Sequence, residues 1–178
     1  MGLQPATQRQ PTLLSSCARA TAAAEARYRI TAPTFTRRDS RVIALDGRAA
    51  TMVREMAGGL WAGGHFLVFE SALPDDALLR RAPGSGDPGT SEGGTALLSE
   101  ELDGADTVVM IASAEGSAGA ASVIGDAAAA RGIMSAGLVI PGEAPADGVV
   151  SALRPNAMVL VVLREAADIP EVLSALRV

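Results

Sequence analysis

The spacing of apolar residues changes character near residue 40. Before it, apolar positions keep no sustained period, and only Leu13 to Arg29 is compatible with a helix. Residues 1–40 therefore read as an arm and 41–178 as the main domain. From Ser40 the pattern becomes regular. Val42, Ile43, Leu45, Ala49, Met52, Val53 and Met56 recur at roughly helical spacing, which predicts a helix capped by Asp39 or Ser40 and ended by Gly58-Gly59. The run His65 to Phe69 reads as a buried strand, and Pro74, Asp75 and Asp76 as the opening of a short helix ending near Arg81. The stretch 83–94 (PGSGDPGTSEGG) has turn composition throughout, so a surface loop is expected there.

Three further apolar runs follow: Thr107 to Ala112, Ile133 to Ile140 and Ala157 to Leu163. An Ala-rich helix, Ala118 to Arg131, separates the first two and is closed by Gly132, while Pro170 to Leu176 forms a terminal helix. Thr95 to Ser99 fits either a strand or the start of a helix running to Leu102. Apolar strands alternating with helices predict the α/β class: an open parallel sheet with helices on both faces, a three-layer sandwich.

Composition narrows the functions open to such a fold. The single Cys17 excludes an internal disulfide framework and a cysteine zinc site, and points to a cytoplasmic setting. One histidine and no clustered Asp/Glu/His spacing leave neither a metal site nor a cofactor to expect. The net charge of -5 and only five aromatic residues argue against a nucleic-acid surface. No apolar run reaches membrane length, so no membrane partner is expected.

That charge is an average over two unlike parts. The first forty residues hold six Arg against Glu25 and Asp39, a net +4, which leaves -9 for the rest. An Arg-rich, acid-poor start resembles an organellar transit peptide; the Ala bias and the prolines favour instead an arm or helix that packs on a partner subunit.

In an open parallel sheet, ligands bind outside the carboxyl ends of the strands where the strand order reverses. This rule selects two loops. The one after Phe69 offers Glu70 and Ser71; the one after Ala112 offers Ser113, Glu115, Gly116 and Ser117. If the two strands are neighbours, both loops line one crevice. The second loop joins a strand to a helix with hydroxyls and glycines at the helix start, a setting that favours an anion. Glu70 and Glu115 are the candidate bases. His65 begins its strand and so lies at the opposite end.

The stretches AGGLWAGGHFLVF and GADTVVMIASAEGSAGAASVIGDAAAARGIMSAGLVIPG resemble the SIS, or sugar isomerase, domain of the phosphoheptose isomerase type. The same second stretch is also similar, with a shorter loop, to the segment around the glycine-rich phosphate loop of the tubulin and cell-division GTPases. The SIS resemblance implies that Ser117 sits where a phosphate-binding hydroxyl belongs, that Ser113 matches approximately, and that Asp76-Ala77 corresponds to a family Asp-Ala pair. It further implies a sugar phosphate ligand and a homo-oligomer, a dimer or tetramer paired through N-terminal helices. The chain departs from the family where Phe69 to Leu73 replaces a Gly/Ser-rich loop, and where the terminal helix (IPEVLSALRV) lacks a Gln-Glu-x-x-His motif. The expectation is a diverged member that binds a phosphorylated sugar or related carbohydrate derivative, with proton abstraction next to a carbonyl as its chemistry if it isomerises. The alternative is a non-catalytic structural or regulatory subunit with a degenerate pocket.

Overall fold

A computed structural model describes residues 38–59, 61, 64–84, 93–140 and 142–178. Residues 1–37 of the proposed arm and 85–92 of the turn-rich stretch lie outside the described residues, while Ser40, assigned to the arm, instead opens the first strand. The first described element is β1 (Ser40–Ala44), followed by α1 (Gly47–Ala57), β2 (Gly64–Ala72), β3 (Ala77–Arg81), β4 (Thr95–Leu97) and α2 (Leu98–Glu101). Then come β5 (Thr107–Ala112), α3 (Ala118–Ala130), β6 (Met134–Val139), α4 (Asp147–Leu153), β7 (Val159–Val162) and α5 (Ile169–Ala175).

The seven strands form one sheet in the order β4-β3-β2-β1-β5-β6-β7. β2, β1, β5, β6 and β7 run parallel, while at one edge β3 pairs antiparallel with β2, and β4 antiparallel with β3. Counted along the chain, the parallel strands lie in the doubly wound order 2-1-3-4-5, which reverses between β1 and β5. Helices cover both faces, as the α/β three-layer reading requires. On one face α1 and α5 pack Val53 and Leu173 against Val42, Phe66, Val109 and Leu138. On the other, α2, α3 and α4 pack Leu98, Ile124 and Leu153 against Ile43, Leu67 and Met110. β1 and β5 are buried along their whole length; β5 accordingly reads as a near-continuous apolar run, whereas β1 opens with the buried polar pair Ser40-Arg41 before Val42, Ile43 and Ala44.

Three sequence expectations are corrected. The helix predicted from Val42 to Met56 is a strand followed by a helix: Val42 and Ile43 belong to β1, and Asp46 caps α1 by accepting from the Ala49 amide at 3.0 Å. The two elements abut across only Leu45 and Asp46, so strand residues fell into the helical count. Pro74 to Arg81 is a hairpin rather than a helix. Leu73 N–H donates to the Asp76 carbonyl at 2.8 Å, Asp76 accepts from the Ala77 amide, and Ala77 and Leu79 are buried alternately along β3. Between β6 and β7 stands α4, which was not predicted; it is short, contains Gly148 and buries only Val149 and Leu153. Parallel neighbours need a crossover, so the adjacency of those two strands demands such an element. Thr95 to Leu102 contains both alternatives, strand β4 and then helix α2.

Candidate functional site

At the carboxyl edge of the sheet, three loops surround the point of reversal: those after β1, β5 and β6. They enclose a cavity of about 630 Å³ lined by Arg48, Ser113, Ala114, Glu115, Gly142, Glu143 and Ala144. Its size is that of a small-molecule site.

Asp46 ties two of these loops together. Its carboxylate accepts from the Ser113 amide at 2.7 Å and the Ser113 hydroxyl at 3.0 Å while also capping α1. The Ser113 hydroxyl in turn accepts from the Glu115 amide at 3.3 Å. The cap, the buried serine and the next turn therefore form one hydrogen-bonded frame across the switch point. Gly116 closes it: its amide donates to the Ser113 carbonyl at 2.9 Å, and a Cβ would stand 2.8 Å from the Ala112 Cβ and 2.9 Å from Val149. Only glycine fits there without displacing neighbours.

The charged groups facing the cavity are not consumed by this frame. Among the described residues, Arg48, Glu115 and Glu143 make no salt bridge. Arg48 stretches over the β6 loop, its Nη1 lying 3.0 Å from where a Cβ on Gly142 would be. The bare Gly142 thus leaves room for the guanidinium. The cavity presents one rigid donor fork and two carboxylates, with the frame behind them.

The sequence-predicted residues separate on this geometry. Ser113 and Glu115 line the cavity. The Ser113 hydroxyl is engaged with Asp46, and the Gly116 amide with Ser113, so both serve the frame rather than the anion expected at the second loop. Ser117 caps α3, its hydroxyl accepting from the Ala120 amide at 3.2 Å. Glu70 and Ser71 lie elsewhere. β1 stands between β2 and β5, so the condition that would bring their two loops into one crevice is not met. Both residues belong to β2 itself, exposed, and Glu70 pairs with Arg80 at 2.7 Å. The hydrogen bond from Arg80 holds the Glu70 carboxyl below its ordinary value of 4.5.

Asp76 accepts from the amide and hydroxyl of Ser99, which fastens the hairpin turn to α2. Burial pushes its carboxyl up, but the bonds from Ser99 and Ala77 and the charge of Arg131 outweigh this and lower it below 3.8. A smaller cavity of about 330 Å³ lies beside it, between the turn and α3.

The sequence reading missed Asp46, Arg48 and Glu143. The Asp46-Gly47 pair, a turn and cap signal directly after a short β-branched run, was the clue to the first two. Recognising β1 would have brought its loop under the same switch-point rule that selected Ser113.

At the opposite edge, Glu101 of α2 is buried at 3% exposure beneath Arg41 of β1, His65 of β2 and Arg81 of β3. Arg81 Nε donates to it at 2.7 Å, His65 Nδ1 lies 3.3 Å away, and Arg41 donates to its backbone carbonyl. Burial pushes the Glu101 carboxyl up, yet the bonds from His65 and Arg81 and the charges of Arg81 and Arg41 prevail and hold it below 4.5. The only histidine thus joins a structural ion cluster far along the sheet from the cavity.

Among the described residues, no group of three or more His, Cys, Asp or Glu could hold a metal ion, and no helix is long and apolar enough to cross a membrane. No protein-family model matches the chain, and no curated protein matches it.

Proposed function

We propose that the switch-point cavity binds a phosphorylated sugar or a related carbohydrate derivative. The observation that carries this reading is Arg48, a cation with no salt-bridge partner among the described residues, set beside Glu115 and Glu143 in a cavity of ligand size. A guanidinium fork matches the oxygens of a phosphate, and carboxylates accept hydrogen bonds from sugar hydroxyls. This differs from a cradle of serine hydroxyls and glycine amides: the anion is assigned to Arg48, and the Ser113–Gly116 turn holds Glu115 in place. Of the two carboxylates considered as a base, Glu115 alone lines the cavity, so proton abstraction next to a carbonyl falls to Glu115. Glu70, paired with Arg80 on β2, takes no part.

Thermal unfolding with a panel of sugar phosphates tests the reading. A ligand at a hundred times its Kd adds about 2.7 kcal/mol. In a chain of this size that raises Tm by roughly 5–10 °C. The rise should disappear in Arg48→Ala. If no sugar phosphate raises Tm, or if Arg48→Ala retains the full rise, the reading fails.

A further inference from the structure

The two edges of the sheet are finished differently. At one, β4 is three residues long and is followed at once by α2. At the other, the run Met158 to Leu163 (MVLVVL) contains no charge and no proline. Among the described residues no strand pairs outside β7. Sheet edges are ordinarily blunted by short strands, charges, prolines or bulges; β7 is short, but it carries no charge or proline and its register with β6 is unbroken.

The exposed apolar surface gathers at this edge. Of the four large hydrophobic residues that stand exposed among the described residues, Met158 (77%), Val162 (53%) and Val159 (40%) lie on or directly before β7. Met158 lies directly before the strand, its amide donating to the Ser135 carbonyl of β6 at 2.9 Å, one residue out of step with the Leu163 amide, which donates to the Val139 carbonyl at 2.9 Å. Side chains alternate along the strand: Leu160 packs into the core under α3 and α4, Val161 and Leu163 into the core under α1 and α5. Val162 therefore shares a face with Leu160, and Val159 shares the other with Val161, while Met158 stands at the head of the same edge. The open edge is apolar on both faces.

We infer that β7 is a self-association edge, occupied by β7 of a second copy of this chain in antiparallel pairing. A two-fold axis perpendicular to the sheet lays one β7 against the other and keeps each helical layer on its own side. Centred on Leu160, it sets Val159 opposite Val161 and brings Met158 alongside Val162, so the exposed apolar residues of one edge meet apolar residues of the other. The flanking charges agree with this direction. Arg164 falls opposite the uncharged Asn156, and the basic end at Arg154 turns toward the acidic end at Glu165 and Asp168. A parallel arrangement would bring like ends together. The second copy supplies apolar groups on both faces in one register by symmetry alone.

Light scattering coupled to size exclusion, on the full chain over a concentration series, should give twice the chain mass. Met158→Lys/Val162→Lys should reduce it to the monomer with an unchanged circular dichroism spectrum, since both side chains are exposed. A wild-type monomer at every concentration overturns the inference, whether the edge is then bare or covered by residues 1–37 or another protein. A dimer that survives the double substitution overturns it as well. Should the lysine variant fail to fold, Met158→Cys/Val162→Cys in a Cys17→Ser chain decides: opposed positions on antiparallel strands are within disulfide reach, so oxidation must yield a crosslinked dimer. Absence of the crosslink contradicts the proposed register.

Discussion

The two ends of the parallel strands use charge in opposite ways. At the amino end, Glu101 is buried and surrounded by Arg41, Arg81 and His65, so its charge is consumed within the protein. At the carboxyl end, Asp46 is likewise engaged, but Arg48, Glu115 and Glu143 face a cavity and make no salt bridge among the described residues. Paired buried charges fix one structure, because removing a partner strands the rest. Unpaired charges at a concave surface cost little to keep and remain available to a ligand. On this account one end maintains the fold and the other end binds.

The comparison breaks most visibly at Glu101. Glu101→Ala removes the buried carboxylate that Arg81, His65 and Arg41 share, leaving Arg41 with Asp39 alone, and should cost about 3–5 kcal/mol in chemical denaturation. It should leave untouched any ligand affinity measured on the protein that remains folded. A loss below 1 kcal/mol would show that the cluster holds little.

The same carboxylate gives the pH dependence a sign. The folded protein holds the Glu101 carboxyl below 4.5, so it binds its proton less readily than the unfolded chain does. The stability it contributes is present above pH 4.5 and is lost as pH falls through the folded value. Glu101→Gln should therefore flatten the stability profile below pH 4.5 relative to wild type. Equal slopes in the two proteins would contradict the assignment.

Asp46→Ala should come next in size. It removes a helix cap and two bonds from Ser113, about 2–3 kcal/mol together. Unlike Glu101→Ala, it should also weaken ligand binding, because the frame that places Glu115 is lost. Gly116→Ala tests the same frame by overpacking and should cost about 1–3 kcal/mol. Arg48→Ala is the smallest in stability, within about 0.5 kcal/mol of wild type, since the side chain is exposed and unpaired. Its effect should appear only when ligand is present.

The difference between the ends also explains how far the sequence could be read. The central strands β5 and β6 and helix α3 were legible because burial on both faces leaves an unbroken apolar run, and because Gly132 marks the helix end. Of the site, Ser113 and Glu115 followed from the strand-end rule alone. Arg48 and Glu143 did not, since nothing local distinguishes an unpaired surface charge from a solvated one. What distinguishes them is the adjacency of β1, β5 and β6, which is a property of strand order. Glu70 shows the converse: it satisfied the local rule but sits beyond β1, on the wrong side of the switch point. Glu101 was equally hidden, because Arg41, His65 and Arg81 meet it only through the pairing of β1, β2 and β3.

The most direct measurement is a backbone amide NMR titration of the protein with a panel of sugar phosphates. The account predicts shifts concentrated at Arg48, Ser113 to Glu115 and Gly142 to Ala144, with Arg41, His65 and Glu101 unmoved. Shifts centred on the amino end, or none with any sugar phosphate, would contradict it.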